Sequence, residues 1–89
     1  GSMNDIAATL EERGERYGAF EEHAVIAQAL KDICRATPKW HRLEDDQRES
    51  LEMIAHKIGR ILNGDPDYAD SWIDIAGYAK LIADRLTDQ

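Results

Sequence analysis

The chain has 89 residues and a mass of 10.1 kDa, enough for one domain, and it carries a net charge of −7 from 18 acidic and 11 basic side chains. That balance repels a phosphate backbone unless the bases cluster, so double-stranded nucleic acid is a poor first candidate for a partner. No apolar run reaches the ~18 residues of a membrane span, and Cys34, as the one cysteine, rules out an internal disulfide and fits a reducing cytoplasm.

Gly1-Ser2 ahead of Met3 has the look of a cleaved expression tag, so the domain is read as residues 3–89. A chain this short buries only about 60–65% of its unfolded surface. Without disulfide or structural zinc, the remaining remedy is self-association, and a homo-oligomer that completes the core is expected.

Asn4 or Asp5 is placed to cap a first helix from Ile6 to about Arg16, with Ile6 and Leu10 on one face. Gly14 and Gly18 bracket Arg16-Tyr17 and predict a bend or break there. A second helix spans about Phe20 to Arg35, with an apolar face of Phe20, Ala24, Ala27, Leu30, Ile33 and Cys34, and Pro38 ends it. His23, beside Glu21 and Glu22, is read as a surface residue, and Cys34 as core. Trp40, in the linker that follows, is expected to fold back onto the helices.

A third helix starts near Glu44 with Glu44, Asp45 and Asp46 at the positive end of its dipole. Its stripe is Leu51, Ile54, Ala55, Ile58, Ile61 and Leu62, and Asn63-Gly64 supplies a left-handed stop before the Asp65-Pro66 turn. The last helix, about Tyr68 to Leu86, carries Trp72, Ile73, Ile75, Ala76, Ala79, Leu81, Ile82 and Leu86, too broad a set for one face. It is therefore expected to be buried against its own chain and against a partner. No segment alternates with period two, so the fold is all-α: an antiparallel bundle of about four helices.

Two groups of residues could carry chemistry. Asp70 and Asp74 lie one turn apart, a spacing at which two carboxylates can share a hard cation; alternatively they neutralise bases across a helix interface. On the third helix, Glu49, Glu52, His56 and Arg60 form a second stripe flanked by Lys57. Glu49 and Glu52 are candidate metal ligands, and Lys57 and Arg60 candidate phosphate contacts, against the plainer reading of a solvated charged face. Lys57 borders the apolar stripe and is placed to reach Asp70 or Asp74 as an internal ion pair. Gly59 and Gly77 lie inside helices at a cost of ~1 kcal/mol each, which points to close helix approach ahead of the alternative, space for a ligand against the backbone. Phosphate-binding glycine loops and the His-Glu-x-x-His metal motif are missing.

The run Asp70-Ser-Trp-Ile-Asp74-Ile-Ala-Gly-Tyr78-Ala-Lys-Leu-Ile82 resembles the second metal-binding helix of MazG-type all-α NTP pyrophosphohydrolases, and Glu49 to Leu62 resembles the helix before it. Arg13 to Phe20, with Gln28 to Lys31, is similar to small phage proteins built on the same plan. The resemblance implies nucleotide bound between helices of an oligomer, and Mg²⁺-dependent cleavage of a nucleoside triphosphate to monophosphate and pyrophosphate. It also implies that Glu49 and Glu52 match the family's first acidic pair and Asp70 and Asp74 the second. This chain departs from the pattern at Ser71, where the family has an acid, and in the basic cluster His56, Lys57 and Arg60. Fewer carboxylates weaken metal binding, so a phage nucleotide sponge that sequesters cyclic or other nucleotide immune signals stands beside the hydrolase, as does a helical interaction module without a small ligand. Nucleotide contacts are expected from Lys57 and Arg60 with Tyr17, Trp40, Trp72 and Tyr78.

Overall fold

A computed structural model describes residues 3–88, and the side chains of these apart from residues 3–5, 14 and 15; the Gly1-Ser2 reading lies outside the described residues. The chain forms four helices, α1 (Met3–Tyr17), α2 (Phe20–Arg35), α3 (Asp45–Asn63) and α4 (Ala69–Thr87), with a single 3-10 turn at Trp40–Arg42 and no strand among the described residues. It is an all-α bundle. No described helix is long and apolar enough to cross a membrane.

Helix α3 is the central element, with α2 on one side and α4 on the other, while α1 touches α2 and α3 more lightly. The cross-links show the directions of the helices. Moving along α3, Asp46 pairs with Arg85, the Ser50 hydroxyl donates to the Tyr78 carbonyl at 2.8 Å, and Lys57 meets Asp74 at 2.8 Å. Partner numbers fall as α3 numbers rise, so α3 and α4 are antiparallel. Arg35 to Glu52, and His23 to His56, show the same for α2. Residue types at the contacts explain the closeness: Ala27, Ser50, Ala55, Gly59 and Ser71 are buried and small. Trp40 folds back as expected and is buried. At the start of α3, Gln47 Oε1 accepts the Glu44 backbone N–H at 3.0 Å, which ties down the chain entering the helix.

Several sequence expectations need correction. Helix α1 spans Met3–Tyr17, so Asn4 and Asp5 lie within its first turn and not ahead of it, and it continues through Gly14. The break falls at Gly18, whose φ of +75° is the one left-handed residue among those described. Gly64 is not left-handed (φ −133°, ψ −135°); it is needed because a Cβ there would lie 2.1 Å from the Arg16 carbonyl oxygen. Gly18 meets the same junction from the other side, its would-be Cβ 2.1 Å from the Asn63 carbonyl oxygen. Between them, Asn63 Nδ2 donates to the carbonyls of Tyr17 (3.0 Å) and Ala19 (2.9 Å), and Asp65 N–H donates to that of Arg16 at 2.6 Å. These bonds pin the α1–α2 turn onto the end of α3.

On α2 the buried line is His23 and Ala27, with Leu30 and Cys34 half-buried, whereas Phe20 and Ile33 point to solvent. His23 is thus core, contrary to the surface reading. Gly59 does admit close approach, since His23 Nδ1 would be 2.9 Å from an added Cβ, but Gly77 faces open space. Only Ser71 of α4 is buried, and Trp72, Ile73, Leu81 and Leu86 are exposed, so within this chain the helix is covered on the α3 side alone.

Candidate functional site

The pinned α1–α2 turn brings Tyr17, at the end of α1, against Arg60 in the last turn of α3. The Arg60 guanidinium lies 4.4 Å from the centre of the Tyr17 ring. Tyr17 in turn meets Tyr68 edge to face, at 6.0 Å and 80°, and Arg16 lies 4.6 Å over the Tyr68 ring. The result is a continuous column of two arginines and two tyrosines, drawn from the end of α1, the end of α3 and the loop before α4.

Two cavities open on either side of this column and share Arg13, Tyr17 and Arg60 as a common wall. One, of about 350 Å³, is completed by Leu10, Gly18, Ala19, Phe20 and His23. The other, of about 220 Å³, is completed by Thr9, Glu12, Arg16 and Tyr68. Arg16 is neutralised by Glu12 at 3.0 Å. Arg13 and Arg60 have no carboxylate partner among the described residues, whereas Arg35, Arg48, Lys57, Lys80 and Arg85 each have one. In a chain of net charge −7, two arginines without acids on the rim of a cavity leave a local positive excess.

Beneath the larger cavity, His23 Nε2 and His56 Nδ1 are 3.3 Å apart, with rings nearly perpendicular at a centroid distance of 4.5 Å. His23 Nδ1 is buried beside Gly59 and has no hydrogen-bond partner among the described residues. Burial lowers the pKa of both rings, that of His56 to about 4, and the Arg60 guanidinium adds to the effect on each. Both imidazoles are therefore neutral at pH 7, one nitrogen donating to the other.

Of the residues singled out from the sequence, Arg60 and Tyr17 come together. The others do not join them. Lys57 pairs with Asp74 across the α3–α4 interface, the internal ion pair that its position suggested. Glu52 is held by Arg35 at 2.8 Å, Asp70 accepts from the Tyr68 hydroxyl at 2.9 Å, and Glu49 is exposed. Among the described residues no three His, Cys, Asp or Glu side chains are grouped to hold a metal. Trp72 donates from its indole N–H to the Pro66 carbonyl at 2.8 Å, Tyr78 lines a shallow groove with Ile73, Gly77 and Leu81, and Trp40 is in the core. Trp72, Tyr78 and Lys57 thus belong to α4 or its interface, and none of them lines either cavity.

Arg13, Arg16, Tyr68 and Phe20 were not expected as ligand contacts, and His23 was read as a surface residue. One signal was available. Arg13, Arg16 and Tyr17 fall within one helical turn just before a glycine break, a pattern that places cations at a helix end. Tyr68 carried no such mark, because its role depends on the turn from α3 into α4.

Neither the curated proteins nor the solved structures contain a match to this chain. A family model described as a domain of unknown function (DUF6378) matches residues 3–86, nearly the whole chain, and the protein belongs to that family.

Proposed function

We propose that the protein binds a nucleotide through its phosphates at the wall formed by Arg13, Tyr17 and Arg60. The observation that carries this reading is the pair of arginines without carboxylate partners among the described residues, set against a tyrosine ring at the mouth of two cavities in an otherwise acidic chain. Arginine forks suit phosphate oxygens, and aromatic faces suit bases. The resemblance of α3 and α4 to MazG-type pyrophosphohydrolases supports the same ligand class.

Capture is favoured over cleavage. Asp74, Glu52 and Asp70 are already engaged by Lys57, Arg35 and Tyr68, so a Mg²⁺ ion would have to compete with those partners for its ligands. A binding protein that sequesters nucleotides needs no such exchange. Calorimetry against nucleoside triphosphates, dinucleotides and cyclic oligonucleotides, with and without Mg²⁺, tests the reading. Binding is expected, and Arg60→Ala should weaken it about ten- to hundredfold, the worth of a charge-assisted hydrogen bond. Turnover with pyrophosphate release would make the protein a hydrolase, and no binding across the whole panel would leave an interaction module.

Self-association belongs to the same proposal. Val25, Ile33, Leu62, Ile73 and Leu81, none of which lines the Arg13–Tyr17–Arg60 cavities, are each at least 60% exposed, an apolar surface suited to a second copy of the chain. Light scattering at micromolar concentration should report a dimer or larger species; a folded monomer would remove this part.

A further inference from the structure

The two cavities differ in character although they share a wall. Among the described residues, the smaller is lined by Arg13, Arg16, Arg60 and the hydroxyl-bearing Thr9, Tyr17 and Tyr68, with Glu12 as its one acid. The larger adds Leu10, Phe20 and His23 to the shared wall, over a floor of Gly18 and Ala19 that carries almost no side chain. Phe20 is 75% exposed, and its ring lies 6.0 Å from that of His23, tilted by 41°. The Phe20 ring therefore has an uncovered face at the cavity rim, the geometry in which an aromatic side chain receives a flat ring. At about 350 Å³ the cavity sits at the low end of ligand-site volumes, which run from ~300 to 1,000 Å³, so it suits one small planar group and not two.

We propose that the larger cavity is a base-binding chamber: a single heteroaromatic base stacks on Phe20 between Leu10 and His23, while the phosphates of the same nucleotide cross the Arg13–Tyr17–Arg60 wall toward Arg16. The inference rests on the nucleotide reading above and adds that the ligand is a mononucleotide recognised at both ends. His23 contributes as a neutral ring: burial lowers its pKa, and its Nε2 is occupied by His56, so the chamber holds no fixed charge on that side. The cations that line it, Arg13 and Arg60, lie on the wall it shares with the phosphate side. A base would thus enter an apolar recess with the positive charge confined to one edge, matching a nucleotide's division into flat ring and anion.

Calorimetry with three probes tests this: a purine nucleoside triphosphate, ribose 5-phosphate and inorganic tripolyphosphate. The nucleotide is expected to bind at least tenfold more tightly than tripolyphosphate. Phe20→Ala should remove roughly tenfold of nucleotide affinity, the scale of losing one base–aromatic stack, and leave tripolyphosphate binding unchanged. Phe20→Trp should restore the loss. Phe20 is largely solvent-exposed, so these variants fold as the parent does. Equal affinity for nucleotide and tripolyphosphate, or a nucleotide affinity indifferent to Phe20→Ala but lowered by Trp72→Ala, would overturn the base chamber while leaving the phosphate site intact. Failure of every probe to bind would overturn the chamber and the nucleotide reading together.

Discussion

Gly18→Val is expected to lower the melting temperature by more than any other single substitution at the α1–α2 turn. Two independent costs add at this position. The backbone is left-handed at φ +75°, a conformation that costs a side-chain-bearing residue about 1–2 kcal/mol and a β-branched one more. A Cβ would also lie 2.1 Å from the Asn63 carbonyl oxygen and 2.7 Å from its Nδ2, and a backbone carbonyl has no rotamer by which to escape. The turn must then move off α3, and with it go the two hydrogen bonds from Asn63 Nδ2 to Tyr17 and Ala19, each worth about 0.5–1.5 kcal/mol. The combined loss is on the order of 3–4 kcal/mol, which corresponds to roughly 12–30 °C for a domain of this length. Thermal unfolding followed by circular dichroism measures it, and a shift of under 5 °C would show that the turn is not held as described. Because the same turn positions Tyr17 against Arg60, the nucleotide binding proposed for that wall should also weaken in the surviving folded protein.

Stability is expected to fall as pH drops from about 6.5 to about 4. The folded pKa of His56 is lowered from its ordinary value to about 4, by burial first and then by Arg60, His23, Lys31 and Lys57. Between those two values the unfolded chain binds a proton that the folded chain refuses, so protonation draws the equilibrium toward unfolding. The group's contribution is complete above about pH 6.5, declines through the window, and is constant again below pH 4. A shift of this size corresponds to about 3 kcal/mol at 1.36 kcal/mol per pH unit, reduced to about 2 kcal/mol by the ring's residual contact with water. His23 acts in the same direction, since its pKa is also lowered by burial. The Arg85 hydrogen bond holds Asp46 below the ordinary carboxylate value, and that contribution disappears only at lower pH, so the two effects separate along the pH axis. Melting temperatures measured from pH 8 to pH 4 should show the decline, and His56→Gln should flatten it. A flat profile in the parent protein would contradict the buried imidazole pair.

The ends of α2 and the start of α3 were legible because their signals are local. The end of α2 before Pro38, its start at Phe20 and the acidic start of α3 each depend on residues within one turn, and the structure places them at or within a residue of their expected positions. Trp40 was legible as well, since a large ring in a short linker between helices has little else to cover. The buried face of α2 was legible only in part. Periodicity marked Phe20, Ala24, Ala27, Leu30, Ile33 and Cys34, of which Ala27 is buried and Ala24, Leu30 and Cys34 half-buried, but Phe20 and Ile33 are exposed and His23 is buried instead, where Gly59 leaves room for an imidazole. Steric fit between two helices is a property of the pair, and no repeat within either one contains it.

The candidate site divides along the same line. The spacing of Asp70 and Asp74 suggested convergence, but the antiparallel register of α3 and α4 sets Lys57 opposite Asp74. The Glu52 carboxylate turns to the other flank of α3, toward Arg35. Arg60 and Tyr17 were found as residue types suited to a nucleotide, but their meeting requires Gly18 and Gly64 to let two backbones approach, and Asn63 to hold them there. Local chemistry wrote the helices and their ends into the chain. The juxtaposition of charges and rings 40 or more residues apart came from packing, which brings together groups that no spacing along the chain relates.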